Sequence, residues 1–174
     1  MSLLSRLFRR PADPRATLAM PIFPHTNRPD WDCILRTARS YGSHATKIGE
    51  FEHTPNEHGI VTASIPGGTL GIMHVPMPIP GDELTFPSAA AWHWPDAPAA
   101  AREHRAHAAC FASSNELTMV ELRLLHSRLV AALMECNGAS GVYVGSASLL
   151  RKADDYLNDV RDAVDGRVPV LSWV

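Results

Sequence analysis

Residues 103–114 read EHRAHAACFASS. Whether this stretch is a helix or a strand decides the architecture, because it joins an Ala/Pro-rich segment to the longest helical pattern in the chain. As a helix it would put His104 and His107 on one face, as paired metal ligands often sit. As a strand, the three-residue spacing sends the two rings to opposite faces. The stretch runs into small apolar residues and then a turn signal, so it reads as a strand. His104, Ala106, Ala108 and Cys110 then face one way, and Arg105, His107, Ala109 and Phe111 the other. On that phase the two histidines are not expected to share a metal ion.

Outward toward the C-terminus, residues 118–136 give the clearest helix. Thr118, Leu122, Leu125, Leu129, Ala132, Leu133 and Cys136 share one face. Thr118 with Glu121 forms a capping box, and Asn137-Gly138 suits the far end. Val120, Leu124 and Ala131 make the opposite side apolar too, so this helix is expected to be covered on both flanks. SGVYVG (140–145) reads as a short buried strand. A helix is expected over about 147–164, with Leu150, Ala153, Leu157, Val160 and Val164 in one stripe and Gly166 beyond it. Ser146 or Ser148 is its expected cap. VPVLSWV (168–174) closes the chain as a strand.

Outward toward the N-terminus, the segment 85–101 contains AAAWHWPDAPAAA and reads as a long connection. PMPIPGDEL (76–84) precedes it, and its three prolines force an extended stretch poor in ladder hydrogen bonds. Residues 59–75 read as a β-hairpin turning at Pro66-Gly67-Gly68, after a strand at 45–52. A helix covers Trp31, Ile34, Leu35, Ala38 and Tyr41, with Thr26 or Asn27 as its cap, Pro29 in its first turn and Gly42 at its end. ATLAMPIF (16–23) is the first strand of the fold. The order β-α-β-β-β, connection, β-α-β-α-β predicts an α+β domain: a single mixed, mostly antiparallel sheet with three helices packed on it.

A chain of 174 residues, 45% hydrophobic and 20% charged, has the balance of one ordinary globular domain. The expected division is a flexible basic tail at 1–15 and one domain at 16–174. In the tail, Leu3, Leu4, Leu7 and Phe8 lie beside Arg6, Arg9 and Arg10. That stripe offers a weak membrane-surface contact, though a frayed end broken by Pro11 and Pro14 is the plainer reading. No apolar run approaches the roughly 18 residues that span a bilayer. The net charge of −2 gives no electrostatic case for nucleic acid. Cys33, Cys110 and Cys136 form no disulfide framework. They read as buried apolar residues of a reducing, cytoplasmic compartment.

Taken in order, MPIPGDEL (77–84), HWPDAPAAAREHRAHAACF (93–111), RLVAALMECNGASGVYVGSASLL (128–150) and RVPVLSWV (167–174) resemble the bacterial family called domain of unknown function 4261. The resemblance covers roughly residues 70–174 and reaches loosely toward residue 17. It implies a compact α+β domain with a strand at His104–Phe111, and it implies no enzyme activity or cofactor. Members of such families stand alone in bacteria and are associated with secretion or toxin–immunity loci.

The residues themselves offer little catalytic chemistry. His93, His104, His107 and Cys110 lie close in sequence, but no second ligand cluster completes a zinc site, and His53 and His58 flank a turn. No Gly-x-Ser-x-Gly elbow is present, and the cysteines lie in apolar settings where a thiol is inert. SIPGGTLG precedes a strand and presents no helix N-terminus to a phosphate, whereas GVYVGSASLL offers one at most. Asp82-Glu83 and Asp154-Asp155 are adjacent pairs, which point apart. What remains is surface: Trp92, His93 and Trp94 in the Ala/Pro-rich connection, with tryptophan the residue enriched at interface hot spots. The competing reading packs these rings back on the sheet. The expectation is a non-enzymatic protein-binding module with no cofactor and no metal. Trp92, His93, Trp94 and His107 are the candidate contacts, and the partner is a toxin effector or a secretion component. An accessory of a secretion or membrane-associated system is the alternative, ahead of a metal-binding protein or an uncharacterised enzyme.

Overall fold

The computed structural model describes residues 16–41, 48–53 and 60–163. Seven strands form one sheet: β1 (Ala16–Phe23), β2 (Phe51–His53), β3 (Ile60–Ile65), β4 (Gly68–Val75), β5 (Ala106–Ser114), β6 (Gly141–Val144) and β7 (Leu149–Lys152). Their order across the sheet is β2-β3-β4-β5-β1-β6-β7. Every described pairing is antiparallel. The helices are α1 (Trp31–Ser40), α2 (Thr85–Ala90), α3 (Ala97–Glu103), α4 (Met119–Asn137) and α5 (Ala153–Asp162). The α+β class and the single, mostly antiparallel sheet are as the sequence predicts, with five described helices where three are expected. The expected strand at 168–174, the tail at 1–15, Gly42, His58, Val164 and Gly166 lie outside the described residues.

β5 is the central strand, and its composition explains its place. Ala106, Ala108, Cys110 and Ala112 alternate along it and are at most 1% exposed. These small side chains let α4 come close to the sheet. They join Ile72, Leu70, Ala19 and Phe23 in the main core under α1, α4 and α5. His107 and Ala109 face the other way and are buried as well, so this strand is covered on both sides.

α4 is the central helix of that core. Thr118 and Glu121 form the expected capping box, and Gly138 closes the helix at φ +61°, a conformation a β-carbon resists. Leu122, Leu125, Leu129 and Leu133 are 0–1% exposed. Val130 and Ala131 are equally buried, but Val120 is 47% exposed and Leu124 half-buried, so the second flank is covered only over the C-terminal half of the helix. Leu129→Ala should cost ~2–5 kcal/mol, the range for truncating a fully buried leucine. Chemical denaturation measures this, and a shift of only a few tenths would make the helix peripheral.

Four local expectations are corrected. α1 is capped by Asp30, whose Oδ1 accepts from the Cys33 amide at 2.9 Å, and not by Thr26 or Asn27. Pro29 therefore precedes the cap and lies outside the first turn. The segment 147–164 is no single helix: a 3-10 turn at Gly145–Ala147 and strand β7 come first, turning on Ser148 at φ +49°. Leu150 pairs with Tyr143 as a strand residue, and α5 starts only at Ala153 without a side-chain cap. The 85–101 connection is mostly helical, carrying α2 and α3. Alanine-rich runs with Pro87 and Pro98 near their starts favour this. These two helices pack on the face of the sheet opposite α1, α4 and α5. There Met20, Ile22, Ile79, Leu84, Trp94, Tyr143 and Leu150 form a second core.

The cysteine reading is corrected too. Cys33 on α1 and Cys136 on α4 form a disulfide, with their Cα atoms 6.1 Å apart. Only Cys110 is free, and it is buried. Neither α1 nor α4 shows this pairing by itself, because their packing brings together positions 103 residues apart.

Candidate functional site

The second core is built by an excursion from the sheet. The chain leaves β4 at Val75, runs as an irregular strap through residues 76–80 and a turn at 81–84, folds α2 and α3, and returns at His104 to start β5. Pro76, Pro78 and Pro80 have no amide hydrogen to donate. Among the strap's first five residues only Met77 and Ile79 carry one. Met77 and Pro78 are exposed, whereas Ile79 is 6% exposed and plugs the second core.

The two histidines of the opening stretch hold this strap. The Nδ1–H of His107 donates to the Met77 carbonyl at 2.8 Å. The Ile79 amide donates to Nε2 of His104 at 2.8 Å, while the opposite ring nitrogen of His104 donates to the Ala101 carbonyl at 2.6 Å. Side-chain nitrogens thus replace the ladder bonds that the prolines forbid. His104 is not a strand residue: it caps the C-terminus of α3, and β5 begins at Ala106. Both its ring nitrogens are engaged, which leaves no lone pair for a metal. Burial lowers the pKa of both rings, and His104 adds a repulsive contribution at His107. Among the described residues no group of three or more His, Cys, Asp or Glu side chains could hold a metal ion.

The candidate contacts separate. Trp94 is 7% exposed and belongs to the second core, against β6. A β-carbon on Gly141 would lie 2.7 Å from its ring, so the strand and the indole need a glycine there. Trp94→Ala should cost ~3–5 kcal/mol, the range for emptying a large aromatic site, read as a lower denaturation midpoint. His107 is 4% exposed and is no surface contact. His93 is half-buried with its Nε2 unpartnered, edge-on to the Trp92 ring at 5.8 Å. Trp92 alone is a surface group, at 89% exposure. The structure adds Phe86 on α2, 72% exposed, with exposed Ala89 and Ala90 between it and Trp92. Sequence reasoning missed Phe86 because it lay in a segment read as irregular. An aromatic at the first turn of an alanine-rich run was the available signal.

Between the strap and the helices lies a half-open cleft of about 620 Å³. Pro78, Ile79 and Leu84 line one side, and Ser88, Ala101 and His104 the other. Its lining is mixed, with Thr85 and Arg102 beside the apolar residues, and its one histidine is already fully hydrogen-bonded.

Elsewhere, nucleophilic chemistry finds no support. The Cys110 thiol is pushed far up by complete burial. His126 on α4 donates from Nε2 to the Cys110 carbonyl at 2.9 Å and meets the Thr17 hydroxyl at 3.3 Å, a structural pairing inside the core. Arg128, on the same helix, is 3% exposed with Nε and Nη1 unpartnered, and burial lowers its pKa. It stands across the sheet from the excursion. None of the described helices is long and apolar enough to cross a membrane. No family model, curated protein or solved structure matches the chain.

Proposed function

We propose that this chain is a protein-binding module, without catalytic machinery of its own, that docks its partner through Phe86 and Trp92 on the excursion. The observation that carries the reading is Trp92, a tryptophan left 89% exposed two residues from one that is buried. An indole brings about 150–250 Å² to an interface, at ~25 cal/mol per Å², and that burial is unrealised in the isolated chain. The loop holding it is braced. Trp94 anchors it in the second core, and its amide donates to the Ala91 carbonyl at 2.8 Å. A pre-ordered loop loses little entropy on binding. The partner we propose is of the toxin-effector or secretion-component class, with this chain as its neutralising immunity protein; this rests on the sequence resemblance alone, since no family model matches.

Trp92→Ala is expected to leave the circular dichroism spectrum and denaturation midpoint unchanged. It should weaken partner affinity about 30-fold or more, as loss of a hot-spot aromatic does. A photo-crosslinking residue at position 92 should capture the same partner, while one at exposed Val120 on α4 should not. Wild-type affinity in the Trp92→Ala variant would place recognition elsewhere.

A further inference from the structure

We infer that the strap at residues 76–84 is a pH-operated latch, in which protonation of His104 releases the Ile79 amide and opens the cleft beneath it. This stands apart from the docking surface, since neither Phe86 nor Trp92 takes part. The geometry is specific about which ring acts. His104 donates from Nδ1 to the Ala101 carbonyl, so its Nε2 must present a lone pair to the Ile79 N–H. A proton added at Nε2 sets one N–H against another, and that bond is lost. His107 behaves differently. Its bond to Met77 is already a donation from Nδ1, and a second proton on the ring leaves it in place. His107 is therefore the hinge and His104 the catch.

Little else holds the strap down. Residues 76–78 and 80–83 are exposed, and only Ile79 and Leu84 are buried. The flanking prolines have no amide with which to form a substitute bond. Once freed, the Ile79 amide turns to water, and its side chain leaves the roof of the cleft it shares with Pro78 and Leu84. The groups around the catch are few. Arg102 and Glu103 precede it on α3, Arg105 follows it, Asp82 and Glu83 lie on the strap, and His107 and His74 stand on β5 and β4. Of these, His107 is coupled to His104, the two rings repelling when both are charged, and the proton affinity of His104 is lowered by burial and partly restored by the Ala101 bond. The ring is thus neutral and the latch shut at neutral pH. Acid opens it.

Amide exchange followed by NMR from pH 7.5 to 5, corrected for intrinsic rates, tests the latch. Protection of the Ile79 amide should fall up to tenfold per pH unit below about 6.5, at a level well under that of the β4–β5 ladder, whose amides follow the global stability. His104→Gln, which retains an acceptor near Nε2 but cannot titrate, should remove the pH dependence, and His107→Gln should preserve it. The wild-type His104 imidazole resonance should titrate with the same midpoint as the Ile79 change, a measurement that needs no variant. Constant Ile79 protection, an Ile79 protection equal to that of the β4–β5 ladder at every pH, or an unchanged transition in His104→Gln would each overturn the proposal.

Discussion

Reducing the Cys33–Cys136 disulfide is expected to lower the stability of this domain by about 4–5 kcal/mol. The bond closes a loop across 103 residues, and a loop of about 100 residues removes ~4.7 kcal/mol of chain entropy from the unfolded state at 25 °C. A domain stabilised by about 5–15 kcal/mol in total is left near its threshold. Cys33→Ser, Cys136→Ser, the double variant and the reduced wild type should therefore share one lowered denaturation midpoint, because all four lack the same bond. Thiol titration gives a direct check. The unfolded, unreduced protein should show one reactive thiol, that of Cys110, and three after reduction. Three thiols without reductant would show that the bond does not form. Both cysteines are half-buried, so a reductant reaches them without global unfolding.

That bond shows why part of the fold was legible in the sequence and part was not. Periodicity reports what one segment does alone. It placed α4 with its caps and its four leucines, the β3–β4 hairpin, and the alternation of β5 from Ala106 onward. The pairing of Cys33 with Cys136 depends on how α1 crosses α4, which no local pattern records. β7 was misread for a related reason. Leu150, Ala153, Leu157 and Val160 fit a helical stripe, yet Leu149 to Lys152 supply the partner that β6 requires. The same limit applied at the site. Strand phase was used to separate His104 from His107, but His104 ends a helix. The rings differ because each satisfies a different backbone group of the proline strap. The prolines announced a segment poor in ladder bonds. They did not say which side chains would replace those bonds. Trp92 and Trp94 were read as a pair, and only the packing of Trp94 against Gly141 shows that one is core and the other surface.

Acidification from pH 7 to 4 should destabilise the fold by several kcal/mol, with histidines as the cause. Four are buried: His74, His104, His107 and His126. Burial lowers the pKa of each, in the case of His126 from 6.5 to about 4. The sign follows from proton counting. Above about pH 6.5 each ring is neutral in both the folded and unfolded chains, and pH has no leverage through it. Below 6.5 the unfolded chain takes up protons that the native chain refuses, so stability falls as pH falls, until the folded pKa is reached. At 1.36 kcal/mol per pKa unit, His126 alone contributes ~3 kcal/mol of loss across the window from 6.5 to about 4. His74, His104 and His107 act in the same direction over the upper part of that window. Denaturant midpoints should therefore be level above pH 7 and slope downward from 6.5. The slope should flatten by about one proton in His126→Gln, whose amide N–H can still reach the Cys110 carbonyl. Equal midpoints at pH 7.5 and 5 would mean that these rings are hydrated in solution and that the core around β5 is looser than its packing shows.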